Sequence, residues 1–529
     1  MKFYVDFNNL LWYNRFIKLK DKYSERKECL CMKKEEKSCC VLTLALKPEK
    51  WQVDIIEKRF RIAETLYNSF VGKQLKKYKN LAQTRAFRDI EAEMKSIYKD
   101  KDRKSRYKEL SKMRSKMLVE AGLSERGKQI GFSACMTQHY KHFNMHIGSE
   151  MAQCLSEDAW RAFDKMLYGN GYSVHFKRRG SLDSLPNKTA GMTYDPVTNE
   201  FVWKVKKHQM TIPVKALETN YEFEISKLPI KRYRIIRKWM TNKYRYYLQL
   251  TLEGKPPKKD RYIGVGRVGI NMGTQSIAIA SNTDVKLIEL ADKVNNNDRK
   301  LKLLQRKMDR SRRATNPNNY NEDGTIKHGI KLVWVESNNY KRLRGKVREL
   351  HRKNAEIRKY QHTCLANYIL SLGTEIYVES VKYSSLQKRK LFPVKDSKGR
   401  FKSSKRFGKS ISNKAPAMLL SILDLKLKTL GYDGIVKVSK WEHSPIYYNY
   451  LNYSYNSKKL LERKHITENG DILQRDLYLA FLLMCADESL EHEDDKLCKS
   501  YYSYFKGKHD QEVERLMKAR TSDSYSFSY

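Results

Sequence analysis

The chain has 529 residues, enough for roughly three or four domains, and 40% of them are hydrophobic, so real cores can form. Lysine and arginine total 106 against 60 acidic residues, and the formal net charge of +46 is spread along most of the chain. This composition excludes a disordered polycation. Because uncompensated charge of this size opposes compaction, it favours a phosphate-rich partner over a protein that uses charge only for solubility.

The cysteines and the N-terminal stretch indicate an intracellular, cytoplasmic protein. Nine cysteines form an odd, scattered set, which fits a reducing compartment better than a disulfide framework. Residues 1–40 form a charged extension with Cys29, Cys31, Cys39 and Cys40, whose spacing misses the usual zinc pattern, so no zinc is predicted there. No apolar run approaches the roughly 18 residues of a membrane span, so we expect no membrane partner.

Residues 41–173 are predicted to form a helical lobe that opens with one strand over 41–46. The segment that follows the strand, "EKWQVDIIEKRFRIAETLYNSF", has apolar residues near helical spacing and is expected to turn Lys58, Arg59 and Arg61 toward water. Further helices follow, including the basic "KDKDRKSRYKELSKMRSKM".

Residues 174–260 change to the period-two pattern of half-buried antiparallel strands. Apolar residues alternate with basic or aromatic ones in "VHFKRRG", "FVWKVKK", "MTIPV", "YRIIRKWM" and "KYRYYLQLTLEG". We predict a β-barrel with a phosphate-contacting outer face, the alternative being solvated strand faces without a ligand. The basic residues assigned to that face are Lys177, Arg178, Arg179, Arg234, Arg237, Lys243 and Arg245.

Residues 261–487 have the element order of a ribonuclease H-like α/β domain. Three strands, "VGINM", "SIAIAS" and "VKLIEL", precede a helical insertion over 294–372. A strand "EIYVES", a helix "KAPAMLLSILDLKLKTLGY", a strand "IVKVS" and a last helix from "QRDLYLAFLLMCAD" follow. Three antiparallel strands and then alternating helices and parallel strands make the ribonuclease H-like arrangement. Residues 488–529 are treated as a C-terminal tail.

Three positions of this domain are predicted to form a metal site. Phosphodiester hydrolysis by two Mg²⁺ ions about 3.5–4 Å apart needs carboxylates from several elements. In this fold the carboxylates lie at the ends of the first and fourth strands and at the start of the last helix. In this sequence those three positions hold Asn271, Glu379 and Asp476. Singly, a strand-end glutamate is usually solvated and a first-turn aspartate usually stabilises its helix, but the strand order makes the set specific.

The segments "GINMGTQ", "YVES" and "QRDLYLAF" resemble the three RuvC motifs of the transposon-encoded TnpB proteins and of the compact type V CRISPR effectors. The similarity covers about residues 41–487. The resemblance implies a multidomain α+β protein with a helical recognition lobe, a β-barrel wedge domain and a ribonuclease H-like (RuvC) nuclease domain. It also implies a guide RNA and double-stranded target DNA as partners, a short adjacent duplex motif, Mg²⁺, and a monomer or homodimer on one guide.

The sequence departs from that family between the second and third RuvC motifs, where a zinc-binding loop with paired Cys-x-x-Cys motifs is usual. Residues 380–475 contain no cysteine, so no zinc is predicted. The loop over 441–473 in that place, rich in tyrosine, is predicted to guide single-stranded DNA or, alternatively, to be a packed aromatic loop. Basic residues assigned to nucleic acid in and beside it are Lys458, Lys459, Arg463 and Arg475.

Asn271 is the second departure, because the family carries an aspartate at this position. An amide oxygen can ligate Mg²⁺ but carries no charge, so cutting is expected to fall by more than about 100-fold or to be abolished. Glu379 and Asp476 are retained, and asparagine is nearly isosteric with aspartate, which favours a deliberately inactivated nuclease. The alternatives are a natural RNA-guided repressor that does not cut and an RNA-independent transposase or resolvase.

The insertion over 294–372 is predicted to form two antiparallel basic helices joined by a polar loop. Its first helix, "RKLKLLQRKMDRSRR", holds eight basic residues against one acid, and the second places Leu343, Val347 and Leu350 on one face. We predict contact with the guide–target duplex, although charge runs are usually only solvated faces. The arginines assigned to this contact are Arg306, Arg310, Arg312, Arg313, Arg342, Arg344 and Arg348.

Overall fold

The computed structural model divides the chain into two compact units, Met1–Pro257 and Lys258–Tyr529. The residues it describes are 38–97, 103–123, 139–168, 171, 173–240, 243–257, 261–381, 383–387, 407–438, 448–449, 454–455, 464–467 and 470–522. It is a mixed α+β structure, as predicted. In the described part of the chain, each helix is too short or too polar to cross a membrane.

The described part of the first unit packs helices and strands around a large hydrophobic core. The helices are α1 (Lys50–Gln83), α2 (Arg85–Ser96), α3 (Lys104–Glu120) and α4 (Ser149–Leu167), with a short α5 (Asn220–Ser226). Helix α1 begins with a capping box between Glu49 and Gln52. Of the apolar residues that the sequence places on one stripe of this helix, Ala63, Leu66 and Phe70 are buried, Ile55 is partly buried and Trp51 is 51% exposed.

The strands of this unit form two sheets, and no closed barrel is found among the described residues. The strands are β1 (Cys39–Ala45), β2 (Ser184–Asn187), β3 (Met192–Asp195), β4 (Glu200–Val205), β5 (His208–Pro213), β6 (Ile230–Met240) and β7 (Lys243–Glu253). One sheet has the order β1-β7-β6-β2 and the other β3-β4-β5. A single bridge, between Leu46 and Val214, joins them. Alternation identified the strands of the hairpins, but closure depends on long-range pairing that alternation does not encode.

The predicted strand "VHFKRRG" is absent, and the reason lies in helix α1. The backbone N–H of Lys177 donates to Asn68 Oδ1 at 2.7 Å, and Asn68 Nδ2 donates to the Lys177 carbonyl at 2.8 Å. A side-chain amide therefore satisfies the backbone groups that a neighbouring strand would otherwise have bound. The segment 173–178 runs without regular secondary structure and ends in a turn at Gly180.

The second unit contains a five-stranded sheet with the order β10-β9-β8-β11-β12. The strands are β8 (Arg267–Met272), β9 (Ser276–Ser281), β10 (Val285–Glu289), β11 (Glu375–Glu379) and β12 (Val436–Val438). Strands β8, β9 and β10 pair antiparallel, whereas β11 runs parallel to β8 and β12 parallel to β11. This is the order of antiparallel and parallel strands that the sequence predicted.

Helices cover both faces of this sheet. The insertion forms α6 (Asp298–Thr315) and α7 (Asn338–Leu372), flanked by short 3₁₀ turns, and α8 (Tyr383–Leu386), α9 (Gly408–Lys414) and α10 (Pro416–Leu430) follow. Two short strand pairs, β13 (Tyr448–Asn449) with β14 (Ser454–Tyr455) and β15 (Lys464–Ile466) with β16 (Ile472–Gln474), precede α11 (Arg475–Met484). Along β9, Ile277 and Ile279 enter the core shared with α7 and α10, and Ala278 and Ala280 enter the core shared with α11.

Small residues let α11 lie directly on the sheet. A Cβ at Gly269 on β8 would overlap the carbonyl oxygen of Ala480 and the backbone of Met484 in α11. The alanines of β9 face the same helix. Because a larger side chain at Gly269 has no room, this glycine determines how closely the second half of α11 approaches β8.

The tail predicted over 488–529 was wrong, since residues Asp495–Ser522 form helix α12. Cys498 and Phe505 of this helix are buried in the core shared with α11. Glu512, also buried, accepts the backbone N–H of Leu287 on the edge strand β10 at 2.9 Å. Covering an edge strand protects unpaired backbone groups, which explains why a helix with many charged residues packs here. Its high charge and tyrosine content hide the apolar period in the sequence.

Candidate functional site

Asn271 and Glu379 lie on neighbouring parallel strands at the same end of the central sheet. Ile270 of β8 aligns with Val378 of β11, so Asn271 and Glu379 are each one residue beyond an aligned pair. Neighbouring strands are about 4.8 Å apart, which brings the two side chains to one edge. Both side chains are partly exposed. The sequence predicted this placement from the ends of the two strands.

Asp476 joins them from the first turn of α11. Asn271 Nδ2 donates to the backbone carbonyl of Asp476 at 3.3 Å, which ties the tip of β8 to the start of the helix. Gln474 caps that helix, with Oε1 accepting the backbone N–H of Leu477 at 2.7 Å. The Asp476 carboxylate lies 3.5 Å from Arg475 Nη2, in the favourable field of the helix N-terminus.

Helix α12 contacts the capping residue Gln474 through His509. The backbone N–H of Gln474 donates to Nε2 of the buried His509 at 2.8 Å, and His509 Nδ1 contacts Asp510 Oδ1 at 2.9 Å. His509 therefore accepts at Nε2 and donates from Nδ1, which is the neutral imidazole. Burial lowers the pKa of His509, which keeps this form at neutral pH.

Tyr383 closes the other side of the site. Its hydroxyl donates to the carbonyl oxygen of Met272, the residue after Asn271, at 3.1 Å. Burial, with a smaller contribution from the negative charge of Glu379, raises the pKa of Tyr383. This influence places the Glu379 carboxylate near the tyrosine and so near the end of β8.

The donor set at this edge is two carboxylates and one amide. Among the described residues, no group of three or more histidine, cysteine, aspartate or glutamate side chains lies close enough to hold a metal ion. Asn271 also directs its amide nitrogen at a carbonyl, and an NH₂ group cannot face a cation. As the sequence stands, these residues do not fit a two-metal site of the kind that phosphodiester cleavage needs.

The basic residues predicted on the outer face of the first unit separate into two groups. Lys177, Arg178, Arg179, Arg234, Lys243 and Arg245 are exposed, so they remain predicted phosphate contacts. Arg237 was placed wrongly, because it is only 3% exposed. It pairs with Glu57, lies 3.7 Å from Asp183, and donates from Nε to the Leu182 carbonyl at 3.1 Å. Arg237 is three residues from Arg234, so alternation puts it on the opposite face of β6, with the buried Tyr233 and Ile235.

The arginines of the insertion lie mostly on exposed helix surfaces. Helices α6 and α7 pack together, and Leu343 and Leu350 are buried as predicted. Arg306, Arg310, Arg313, Arg342, Arg344 and Arg348 are exposed and Arg312 is partly exposed. Two of them stack on rings beyond the end of α6, Arg312 over Trp334 at 4.9 Å and Arg313 over Tyr320 at 5.3 Å.

Four predicted nucleic-acid contacts remain, and only Arg475 lies among the described residues. The Arg475 side chain is only 12% exposed and lies beside Asp476. It therefore belongs to the candidate site and not to an open surface. Lys458, Lys459 and Arg463 lie outside the described residues, as does most of the loop over 441–473.

Sequence reasoning missed three residues that shape these regions. Gly269 was read as part of a strand, although a glycine inside an apolar strand is a signal of close backbone approach. His509 lies in the segment treated as a tail, and nothing in the sequence pattern marks it. Arg59 was expected to face water but is 4% exposed, because α1 is covered on more sides than its apolar stripe predicts.

Comparisons with known proteins find similarity among solved structures only. No protein-family model matches the chain, and no curated protein matches it. It is similar to the Cas12f1–sgRNA–target DNA complex (15% identity, 84% of this chain and 98% of that chain, TM-score 0.43). It is also similar to a CRISPR–Cas12f ternary complex, with 12% identity over 86% of this chain and 100% of that chain and a TM-score of 0.25. A third similar structure is the mini-RNA-guided endonuclease CRISPR-Cas_phi3, with 9% identity over 57% of each chain and a TM-score of 0.27. These are solved structures of the kind that the RuvC-like motifs led us to expect, and each TM-score lies below 0.5.

Proposed function

We propose that the chain is an RNA-guided DNA-binding effector of the TnpB and compact type V CRISPR kind. It binds a guide RNA and double-stranded target DNA beside a short motif, and its RuvC-type nuclease site is inactivated or strongly impaired by Asn271. The observation that carries this proposal is the meeting of Asn271, Glu379 and Asp476 at one edge of a sheet with ribonuclease H-like strand order. The net charge of +46 and the exposed arginines of α6 and α7 support a nucleic-acid partner.

The guide-binding part of the proposal is tested on the purified full chain. Protein purified at moderate salt is expected to carry a discrete RNA of defined length, which extraction and sequencing identify. Binding is expected to weaken steeply with salt, because each neutralised phosphate releases counterions. Protein that carries no RNA and still recognises one specific DNA site would contradict the RNA-guided assignment.

The catalytic part is tested by Asn271→Asp with guide RNA and a plasmid that carries the matched target. The substitution restores one negative charge at nearly constant volume, so target binding is expected to stay the same. Cleavage in Mg²⁺ is expected to rise by more than about 100-fold and to vanish in chelator. Adding Glu379→Gln or Asp476→Asn is expected to abolish the gain, because the three ligands act as a unit.

Asn318→Asp is the matched control, since it adds the same charge at an exposed position outside the site. It is expected to leave cleavage at the level of the parent chain. If Asn271→Asp binds guide and target normally but cuts no better than Asn318→Asp, the inactivated-nuclease account fails, and a natural RNA-guided binder becomes the better description.

A further inference from the structure

Helix α1 buries one arginine without an acceptor. Arg59 is 4% exposed, and within the described part of the chain its Nε and Nη1 have no hydrogen-bond partner. A guanidinium presents five N–H donors, and burying a charge without acceptors is costly. A ligand that supplies hydrogen-bond acceptors to Arg59 would remove this free-energy cost and would bind more tightly for that reason.

The guanidinium is held in a fixed orientation. It stacks on the buried ring of Trp203 in β4, with Cζ 4.0 Å from the ring centroid. Gln52, about two turns earlier on α1, donates from Nε2 to the Thr211 carbonyl of β5 at 2.7 Å and fixes the helix against the same sheet. A preoriented planar donor of this kind suits the tetrahedral oxygens of phosphate.

The surroundings of Arg59 are positive. Lys206 Nζ, in the turn before His208, lies 3.6 Å from Sδ of Met145, the residue before His146. Burial, then the charges of Lys58, Arg59 and His208, lower the pKa of His146. Lys58 is exposed, so positive charge continues from the buried guanidinium to the surface, and His208 is exposed beside it as a further hydrogen-bonding group. Burial lowers the pKa of Arg59 to about 10, and the side chain is therefore still charged at neutral pH.

We propose that Arg59, with Lys58, His146 and His208, forms a phosphate-binding pocket that takes a backbone phosphate of nucleic acid. The assignment of nucleic acid as the source of the phosphate rests on the proposed function. The pocket itself rests on the unpartnered guanidinium and its positive surroundings. As a phosphate ligand, Arg59 lowers the stability of the ligand-free protein and raises its affinity for phosphate, a trade-off that functional residues commonly show.

The first test compares Arg59→Gln, Arg61→Gln and the parent chain by thermal unfolding, with chloride replaced by inorganic phosphate at equal ionic strength. Arg61 is exposed two positions further along the same helix, so its variant removes the same charge outside the pocket. In chloride, Arg59→Gln is expected to raise the melting temperature by about 2–6 °C, because an unsatisfied buried charge is removed. Phosphate is expected to stabilise the parent and Arg61→Gln but not Arg59→Gln.

The second test measures binding of labelled RNA and DNA duplexes of mixed sequence over a range of salt. Arg59→Gln is expected to weaken binding about 10-fold and to reduce the slope of log K against log salt by about one. Arg61→Gln is expected to weaken binding less than about 3-fold.

The outcomes separate the pocket from the proposed function. Equal behaviour of the two variants in both tests overturns the pocket, as does a loss of stability in Arg59→Gln, which would indicate a structural partner. If phosphate stabilises the parent and Arg61→Gln but not Arg59→Gln, and all three chains bind the duplexes equally well, nucleic acid is overturned as the source of the phosphate. The pocket is then assigned to a free phosphate ester. A parent chain that binds no nucleic acid at all overturns the proposed function and leaves the phosphate result to decide the pocket.

Discussion

The long helix α1 contacts two sheets of the first unit, and each contact buries an arginine in a different way. Toward the four-stranded sheet, Arg237 of β6 pairs with Glu57 and stacks on Phe60 at 4.4 Å. Toward the three-stranded sheet, Arg59 of α1 stacks on Trp203, and no acceptor within the described residues binds its Nε or Nη1. The two arginines are almost equally buried, at 3% and 4% exposed.

The difference lies in what each guanidinium donates to, and not in how deeply it is buried. Replacing a buried charge that has carboxylate and carbonyl partners lowers stability, because those partners are then left buried without their cation. A buried charge without partners lowers stability until a ligand arrives. Burial alone therefore does not separate a structural arginine from a ligand-binding one, whereas the list of its partners does.

The strongest test of this comparison is Arg237→Gln. Because Glu57 would lose its cation, the free energy of unfolding is expected to fall by about 3–5 kcal/mol. Pulse proteolysis in urea measures the change, with Arg234→Gln, an exposed arginine of the same strand, as a control expected to be close to neutral. If Arg237→Gln and Arg59→Gln change stability by the same amount and in the same direction, the comparison fails.

Lys414 extends the comparison to the second unit. This lysine is 4% exposed, and its Nζ donates to Glu289 Oε1 at 2.6 Å and to the Ala291 carbonyl at 3.4 Å. Lys414→Met retains the length of the side chain but leaves Glu289 partly buried without its cation, so unfolding is expected to become easier by about 3 kcal/mol. Lys409→Met on the same helix α9, where the lysine is exposed, is the control. Equal urea midpoints for the two variants would show that the buried pair contributes nothing.

His509 tests a neutral buried group that has both of its partners. His509→Ala removes the acceptor of the Gln474 N–H and is expected to cost about 1–3 kcal/mol, whereas His509→Gln keeps an acceptor and is expected to cost less. Since the pKa of His509 is lowered in the folded state, its contribution is present above about pH 6.5 and is lost as pH falls toward the folded pKa. Urea unfolding above and below pH 6.5 checks the sign. A pH dependence unchanged in both variants would contradict this role.

The smallest expected effect is that of Tyr246→Phe, which removes one partner of Glu57 and leaves Arg237 in place. The Tyr246 hydroxyl donates to Glu57 Oε1 at 2.9 Å, so its loss is expected to cost about 1–2 kcal/mol at neutral pH. Burial raises the pKa of Tyr246, and the stability linked to it is therefore present below about pH 10 and lost as pH rises through the folded pKa. The cost of the substitution should shrink in that alkaline range. A cost that stays constant across it would contradict the assignment.

Sequence periodicity alone determined the strands of the central sheet in the second unit, the helices of its insertion and the order in which they occur. Strands β8 to β12 and the two helices of the insertion were predicted because alternation and helical spacing are local signals. The meeting of Asn271, Glu379 and Asp476 was also predictable, since each stands at the end of a regular element and such ends converge in a sheet of known strand order.

Only the tertiary structure decided which charged side chains are buried and what they bind. Arg234 and Arg237 lie on opposite faces of one strand, but only the fold shows that Arg237 pairs with a glutamate on a distant helix. The strand predicted at "VHFKRRG" was replaced by hydrogen bonds to Asn68, and the predicted tail became a helix that covers an edge strand. In each case the partner lies far away in the chain, and a pattern of local periods carries no information about which distant side chain will satisfy a buried polar group.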